Sequence, residues 1–103
     1  MASWVDAGRA DDLQPGQVKV IQAGRMRLAV CNVNNAIHCV ADVCTHDGAS
    51  FDTGELDGNE IECPRHGARF DVTDGRATCM PAIVPVKVYP VRIENGEIQI
   101  QVD

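Results

Sequence analysis

In Ile98-Gln99-Ile100-Gln101-Val102 apolar and polar residues alternate one by one, the period of a strand with one face on a core. Val91–Glu94 precedes it, set off by Asn95-Gly96, the dipeptide that best suits a two-residue hairpin because both positions accept positive φ. Val86–Tyr89 reads as a further strand. Nearer the start, Val18–Ile21, Met26–Val33 and Ile37–Ala41 are strand-like, separated by Ala23-Gly24 and by Asn34-Asn35. The second break predicts another tight hairpin, since Asn tolerates positive φ. No segment sustains a helical period. The middle differs: from Asp42 to Glu62 there are seven acidic residues (Asp42, Asp47, Asp52, Glu55, Asp57, Glu60, Glu62) and no Lys or Arg, punctuated by Gly48, Gly54 and Gly58. That stretch predicts loops and a solvated acidic face, with a short strand at Glu60–Glu62. The pattern as a whole predicts one all-β domain over residues 1–103 with an irregular subdomain inserted between its strands.

Composition narrows the picture. At 103 residues and 45% hydrophobic content the chain can bury a modest core. Trp4, Phe51, Phe70 and Tyr89 are its aromatic residues, so the core rests on Val, Ile, Leu and Ala. Asp plus Glu outnumber Lys plus Arg by 15 to 9, a net charge of −6. With no Lys/Arg cluster, a phosphate-tracking surface is not expected, and the acidic balance points to protein partners or solubility. No apolar run reaches the length of a membrane span and the start lacks a secretory pattern, so a cytoplasmic location is expected. Five cysteines, an odd count, argue against a disulfide framework and for thiols kept for a metal.

Two short pairs carry the chemistry: Cys44-Thr45-His46 and, sixteen residues on, Cys63-Pro64-Arg65-His66. Each offers one thiolate and one imidazole. C-x-H suits an extended loop, where residues two apart project to the same side. C-x-x-H suits a tight turn, for which Pro64 and Gly67 supply the backbone. Two sulfurs and two nitrogens suit tetrahedral metal, either zinc or iron–sulfur. Structural zinc sites usually pair Cys with Cys and His with His, whereas both halves here are mixed. A [2Fe–2S] centre with two thiolates on one iron and two imidazoles on the other is the alternative.

These motifs, Cys44-Thr45-His46 and Cys63-Pro64-Arg65-His66-Gly67, resemble the ligand loops of Rieske proteins. With Trp4, Leu13-Gln14-Pro15-Gly16 and the final hairpin, the chain is similar to the Rieske-type ferredoxins that serve aromatic-ring-hydroxylating dioxygenases. The resemblance implies an antiparallel β-sandwich or flattened barrel with an inserted loop-rich cluster-binding subdomain at about 42–71. It implies one [2Fe–2S] cluster on Cys44, His46, Cys63 and His66, covered by a loop at Pro81–Pro85. It further implies a one-electron carrier, not itself an enzyme, between a flavin-dependent reductase and a terminal non-haem iron oxygenase. Partners would dock at the cluster tip, with Ile83 and Val84 central and Arg65 and Arg69 near the rim.

Departures from the respiratory-chain members are informative. Their extra loop cysteines correspond to Ala49 and Arg65, and the hydroxyl-bearing residues near their cluster sulfurs to Ala68 and Phe70. The resemblance therefore implies no loop disulfide and a potential toward the low end of the Rieske range of roughly −150 to +300 mV. Imidazole ligation itself raises the potential: two ferric ions, two sulfides and two thiolates sum to zero charge, whereas four thiolates leave a dianion.

Other candidates have plainer readings. Cys31 and Cys39 lie in strand-like segments and read as packing thiols. Cys79 precedes Met80-Pro81, with a structural role favoured. His38 reads as a strand histidine and Asp74-Gly75 as a turn without chemistry. Two other functions compete: a Rieske ferredoxin of another pathway, such as iron–sulfur assembly or nitrite reduction, and a zinc-stabilised binding module without redox function.

Overall fold

The computed structural model describes residues 3–43, 50–51, 55–64, 67–80 and 84–102. Eleven strands occur among them: β1 (Ser3–Arg9), β2 (Val18–Ala23), β3 (Met26–Val33), β4 (Ala36–Ala41), β5 (Glu55–Asp57), β6 (Glu60–Glu62), β7 (Arg69–Asp71), β8 (Ala77–Cys79), β9 (Val88–Tyr89), β10 (Val91–Glu94) and β11 (Glu97–Val102). The helix among the described residues is a single 3₁₀ turn, Ala10–Asp12. The strands form three antiparallel sheets, ordered β1-β11-β10, β2-β3-β4-β9 and β5-β6-β7-β8.

The second sheet lies in the middle, and β3 shows why. Leu28 to Asn32 are buried without a break, because both faces of this strand are covered. Leu28 and Val30 pack with Ile98, Ile100 and Val102 of the first sheet. Their neighbours Ala29 and Cys31 pack with Ile61 and Phe70 of the third and with Val72 just after β7. Smaller side chains thus face the inserted sheet and larger ones face the terminal one. Each fully buried Leu, Ile or Phe contributes about 1.5–3 kcal/mol relative to exposure. Phe51 and Phe70 anchor the core against the third sheet, in an edge contact with centroids 5.6 Å apart.

The hairpins follow the turn chemistry. Asn34 and Asn35 have φ of 51° and 73°, and Asn95 and Gly96 of 53° and 78°, as a type I′ turn requires. The buried Asn32 side chain fixes the first by donating to the Leu13 carbonyl and accepting from the Asn35 N–H.

Three differences from the sequence pattern stand out. The inserted segment, predicted as loops with one short strand, holds a four-stranded sheet. Ser3–Arg9, not predicted as a strand, pairs with β11, its register shifted between Asp6 and Arg9 where Gly8 takes φ of 97°. Finally, the predicted strand Val86–Tyr89 shrinks to Val88–Tyr89. The Val86 N–H leaves the ladder to donate to the Gly75 carbonyl at 2.8 Å.

Candidate metal centre

Of the four predicted donors, Cys63 lies among the described residues; Cys44, His46 and His66 lie outside them. Cys63 follows β6 directly. Its N–H donates to the Ala68 carbonyl at 2.7 Å, and its carbonyl accepts from the Gly67 N–H at 3.1 Å. These two bonds close a tight turn, and Gly67 at φ 76° occupies the left-handed region that a side chain would oppose. The turn starts at a buried free thiol, 1% exposed, beside the fully buried Ala68 and Phe70. A thiol here is shielded from water, with small and aromatic neighbours that bring no hydroxyl.

The residues flanking the first predicted loop are tied through a carboxylate. Asp42, two residues before Cys44, has a fully buried side chain. Its carboxylate accepts from Ser50 Oγ at 2.6 Å and from the Phe51 N–H at 2.7 Å. Arg27 of β3 lies 3.2 Å from the same group. The Val43 N–H donates to the Ala41 carbonyl at 2.8 Å, an inverse-γ-like pinch just before Cys44. Asp42 is the exception to the solvated acidic face that the sequence predicts.

Three of the other acids, Asp57, Glu60 and Glu62, share a local partner. Arg69 Nη1 lies 2.8 Å from Asp57 and 3.5 Å from Glu60, and its Nη2 lies 3.6 Å from Glu62. The Asp57 hydrogen bond is the largest influence raising the arginine's affinity for its proton. One guanidinium thus ties three strands of the inserted sheet on its outer face. Sequence reasoning missed this network because Arg69 stands outside the acidic run.

The other sulfurs separate by burial. Cys31 and Cys39 are fully buried, and burial pushes each thiol up to about 12. They lie in the two opposite core layers, Cys31 toward the inserted sheet and Cys39 toward the terminal one. Cys79 is exposed at the end of β8. In the predicted cover loop, residues 81–83 lie outside the described residues, as does Arg65. Met80 and Val84 at its edges are exposed, at 71% and 54%. His38 stands opposite Cys31 in the β3–β4 ladder, half-buried, as a strand histidine.

Comparison with known proteins gives this arrangement its family. The model of the Rieske [2Fe-2S] domain matches residues 3–90. The ferredoxin component of naphthalene 1,2-dioxygenase/salicylate 5-hydroxylase systems from Ralstonia sp is 38% identical over 101 residues, covering 98% of this chain and 97% of that one. A chain from the complex of reduced oxygenase and oxidized ferredoxin in carbazole 1,9a-dioxygenase superimposes with a TM-score of 0.91 at 38% identity, covering 94% of this chain and 91% of that one. The ferredoxin of Sphingomonas yanoikuyae B1 does so with a TM-score of 0.92 at 33% identity, covering 98% and 100%. The chain belongs to the Rieske [2Fe–2S] domain family and, within it, to the ferredoxins.

Proposed function

We propose that this ferredoxin carries single electrons from a flavin-dependent reductase to a terminal non-haem iron oxygenase of the aromatic-ring dioxygenase type. Its one [2Fe–2S] cluster would be held by Cys44 and Cys63 through sulfur and by His46 and His66 through nitrogen. Residues 1–103 would form one domain, with the cluster-binding part at about 42–71, acting in the cytoplasm. No helix among the described residues is long and apolar enough to cross a membrane.

The observation that carries this reading is the near end-to-end similarity to a dioxygenase ferredoxin component. The residues suit the group. Cys63 is a free, buried thiol at the start of a turn closed by backbone bonds, with a second donor type, His66, three residues on. Soft thiolate in a dry, shaped turn favours iron–sulfur or zinc over harder cations, and the mixed Cys/His halves favour iron–sulfur. When bound, a [2Fe–2S] centre takes up and releases one electron at a time.

The chain's own part is to hold, shield and tune. The Cys63–Ala68 turn fixes one thiol. Ala68 and Phe70 keep hydroxyl donors away from the sulfurs, which favours a low potential. The Val86–Gly75 bond ties the residue after the predicted cover loop to the turn between β7 and β8.

The test is reconstitution of turnover with a flavin reductase, NADH and a terminal oxygenase with its aromatic substrate. Product formation that rises in proportion to this protein supports the reading. Turnover indifferent to its presence, across oxygenases encoded beside it, contradicts the reading.

A further inference from the structure

We infer that the buried carboxylate of Asp42 is the positioning residue of the first ligand loop: it clamps residues 50 and 51 to residue 42, and so fixes how Cys44 and His46 are presented. This rests on the ligand set proposed above.

The described residues that flank the two predicted ligand loops are tied in distinct ways. The second is closed by backbone bonds between Cys63, Gly67 and Ala68. On either side of the first, the Asp42 carboxylate joins residue 42 to residues 50 and 51. One Asp42 oxygen accepts the Phe51 N–H and the other accepts Ser50 Oγ. Arg27 reaches both ends at once, lying 3.2 Å from Asp42 and donating to Ser50 Oγ at 3.3 Å. The Asp42 N–H in turn donates to the Arg27 carbonyl, so the clamp is fastened to β3 in the central sheet.

A buried carboxylate is a poor choice for stability alone. Desolvation offsets much of the attraction, and well-packed apolar residues often do as well. What a carboxylate provides is two acceptor oxygens a fixed distance apart, able to take donors from both sides of a loop. Asp71 provides a matched contrast. It too is buried and satisfied, by Thr73, Asn59 and Arg76, but it organises the turn after β7 and flanks no ligand pair. Asp71 thus serves as the reference for a buried carboxylate that stabilises a turn away from the first ligand pair.

The experiment uses cluster-loaded protein with an iron chelator present, following bleaching of the cluster absorption. Each variant is studied at a temperature equally far below its own melting point. Asp42→Asn should lose its cluster about tenfold faster than the unsubstituted chain, and Ser50→Ala about threefold faster. Asp71→Asn should stay within about twofold. The reduced-state electron paramagnetic resonance lines should broaden in Asp42→Asn and not in Asp71→Asn. Matching loss rates and line shapes in these two variants would overturn the inference. If Asp42→Asn will not hold a cluster long enough to measure, Ser50→Ala decides: unchanged loss and line shape overturn the inference. Cys44→Ala keeps the two readings apart. Full iron content in Cys44→Ala would sink the ligand set and the inference with it. Loss of iron there, with Asp42→Asn behaving as Asp71→Asn, would sink the inference alone.

Discussion

Gly75 and Val86 meet backbone to backbone: the Val86 N–H donates to the Gly75 carbonyl at 2.8 Å, and a Cβ on Gly75 would stand 2.1 Å from the Val86 carbonyl oxygen. Gly75 also has φ of 82°. Gly75→Ala must therefore both strain the turn and push Val86 away from it. Gly24, at φ 62° with open space around it, isolates the first effect. Gly24→Ala should cost about 1 kcal/mol and lower the melting temperature by about 5 °C. Gly75→Ala should lower it by about twice that or more. Circular dichroism melts of the two variants giving equal shifts would show that the contact with Val86 carries no weight.

Thiol reactivity should divide along burial. Cys31 and Cys39, held near 12 by desolvation, present almost no thiolate at neutral pH, whereas Cys79 is exposed. Iodoacetamide under native conditions, read by mass spectrometry, should modify Cys79 and leave Cys31 and Cys39 intact. Native labelling of Cys31 at a rate comparable to Cys79 would contradict its burial between the sheets.

Asp71 links stability to pH. Burial alone would raise its pKa, but the Thr73 hydroxyl and N–H, the Asn59 amide and the Arg76 guanidinium outweigh it and hold the carboxyl below its ordinary value. A depressed folded-state value means the carboxylate stabilises the fold above the unfolded pKa of about 3.9, and that this is lost as pH falls through the folded value. The melting-temperature advantage over Asp71→Asn should be full near neutrality and shrink as the pH is lowered below about 4. An advantage that stays constant down to about pH 3 would show that Asp71 is not the titrating group.

Hydroxyl tuning can be read at Ala68, whose carbonyl accepts the Cys63 N–H and whose side chain is fully buried. In Ala68→Ser, a new hydroxyl reaching a cluster sulfur should raise the midpoint potential. A net hydrogen bond of about 1 kcal/mol corresponds to roughly 40 mV for one electron. Voltammetry of the loaded variant showing no rise would place Ala68 away from the sulfurs.

Legibility from sequence followed the range of the interactions. The Asn95-Gly96 hairpin and the Met26–Val33 strand were readable because their signals are local. Metal-ligand spacing is a local property too, so the Cys/His pairs stand out in the sequence as candidate donors. β1 was not: Asp6, Gly8 and Arg9 break its pattern, and its partner β11 lies at the other end of the chain. β5, β7 and β8 have three residues each, too few for a period to show. Val86 looks like a strand residue, but its N–H goes to the Gly75 carbonyl, a partner far off in sequence. Asp42 and Arg69 were hardest, since one acid in an acidic run looks like any other until the fold buries it. The same holds for a lone arginine that three carboxylates share.

The central claim is a cluster ligated by two sulfurs and two imidazoles, and pulsed electron paramagnetic resonance of the reduced protein tests it most directly. Protein carrying equal iron and acid-labile sulfide should give a [2Fe–2S] signal with couplings to two imidazole nitrogens, and Cys44→Ala, His46→Ala, Cys63→Ala and His66→Ala should each lose the intact cluster. A colourless protein holding one zinc, or a cluster signal without imidazole nitrogen couplings, would contradict it.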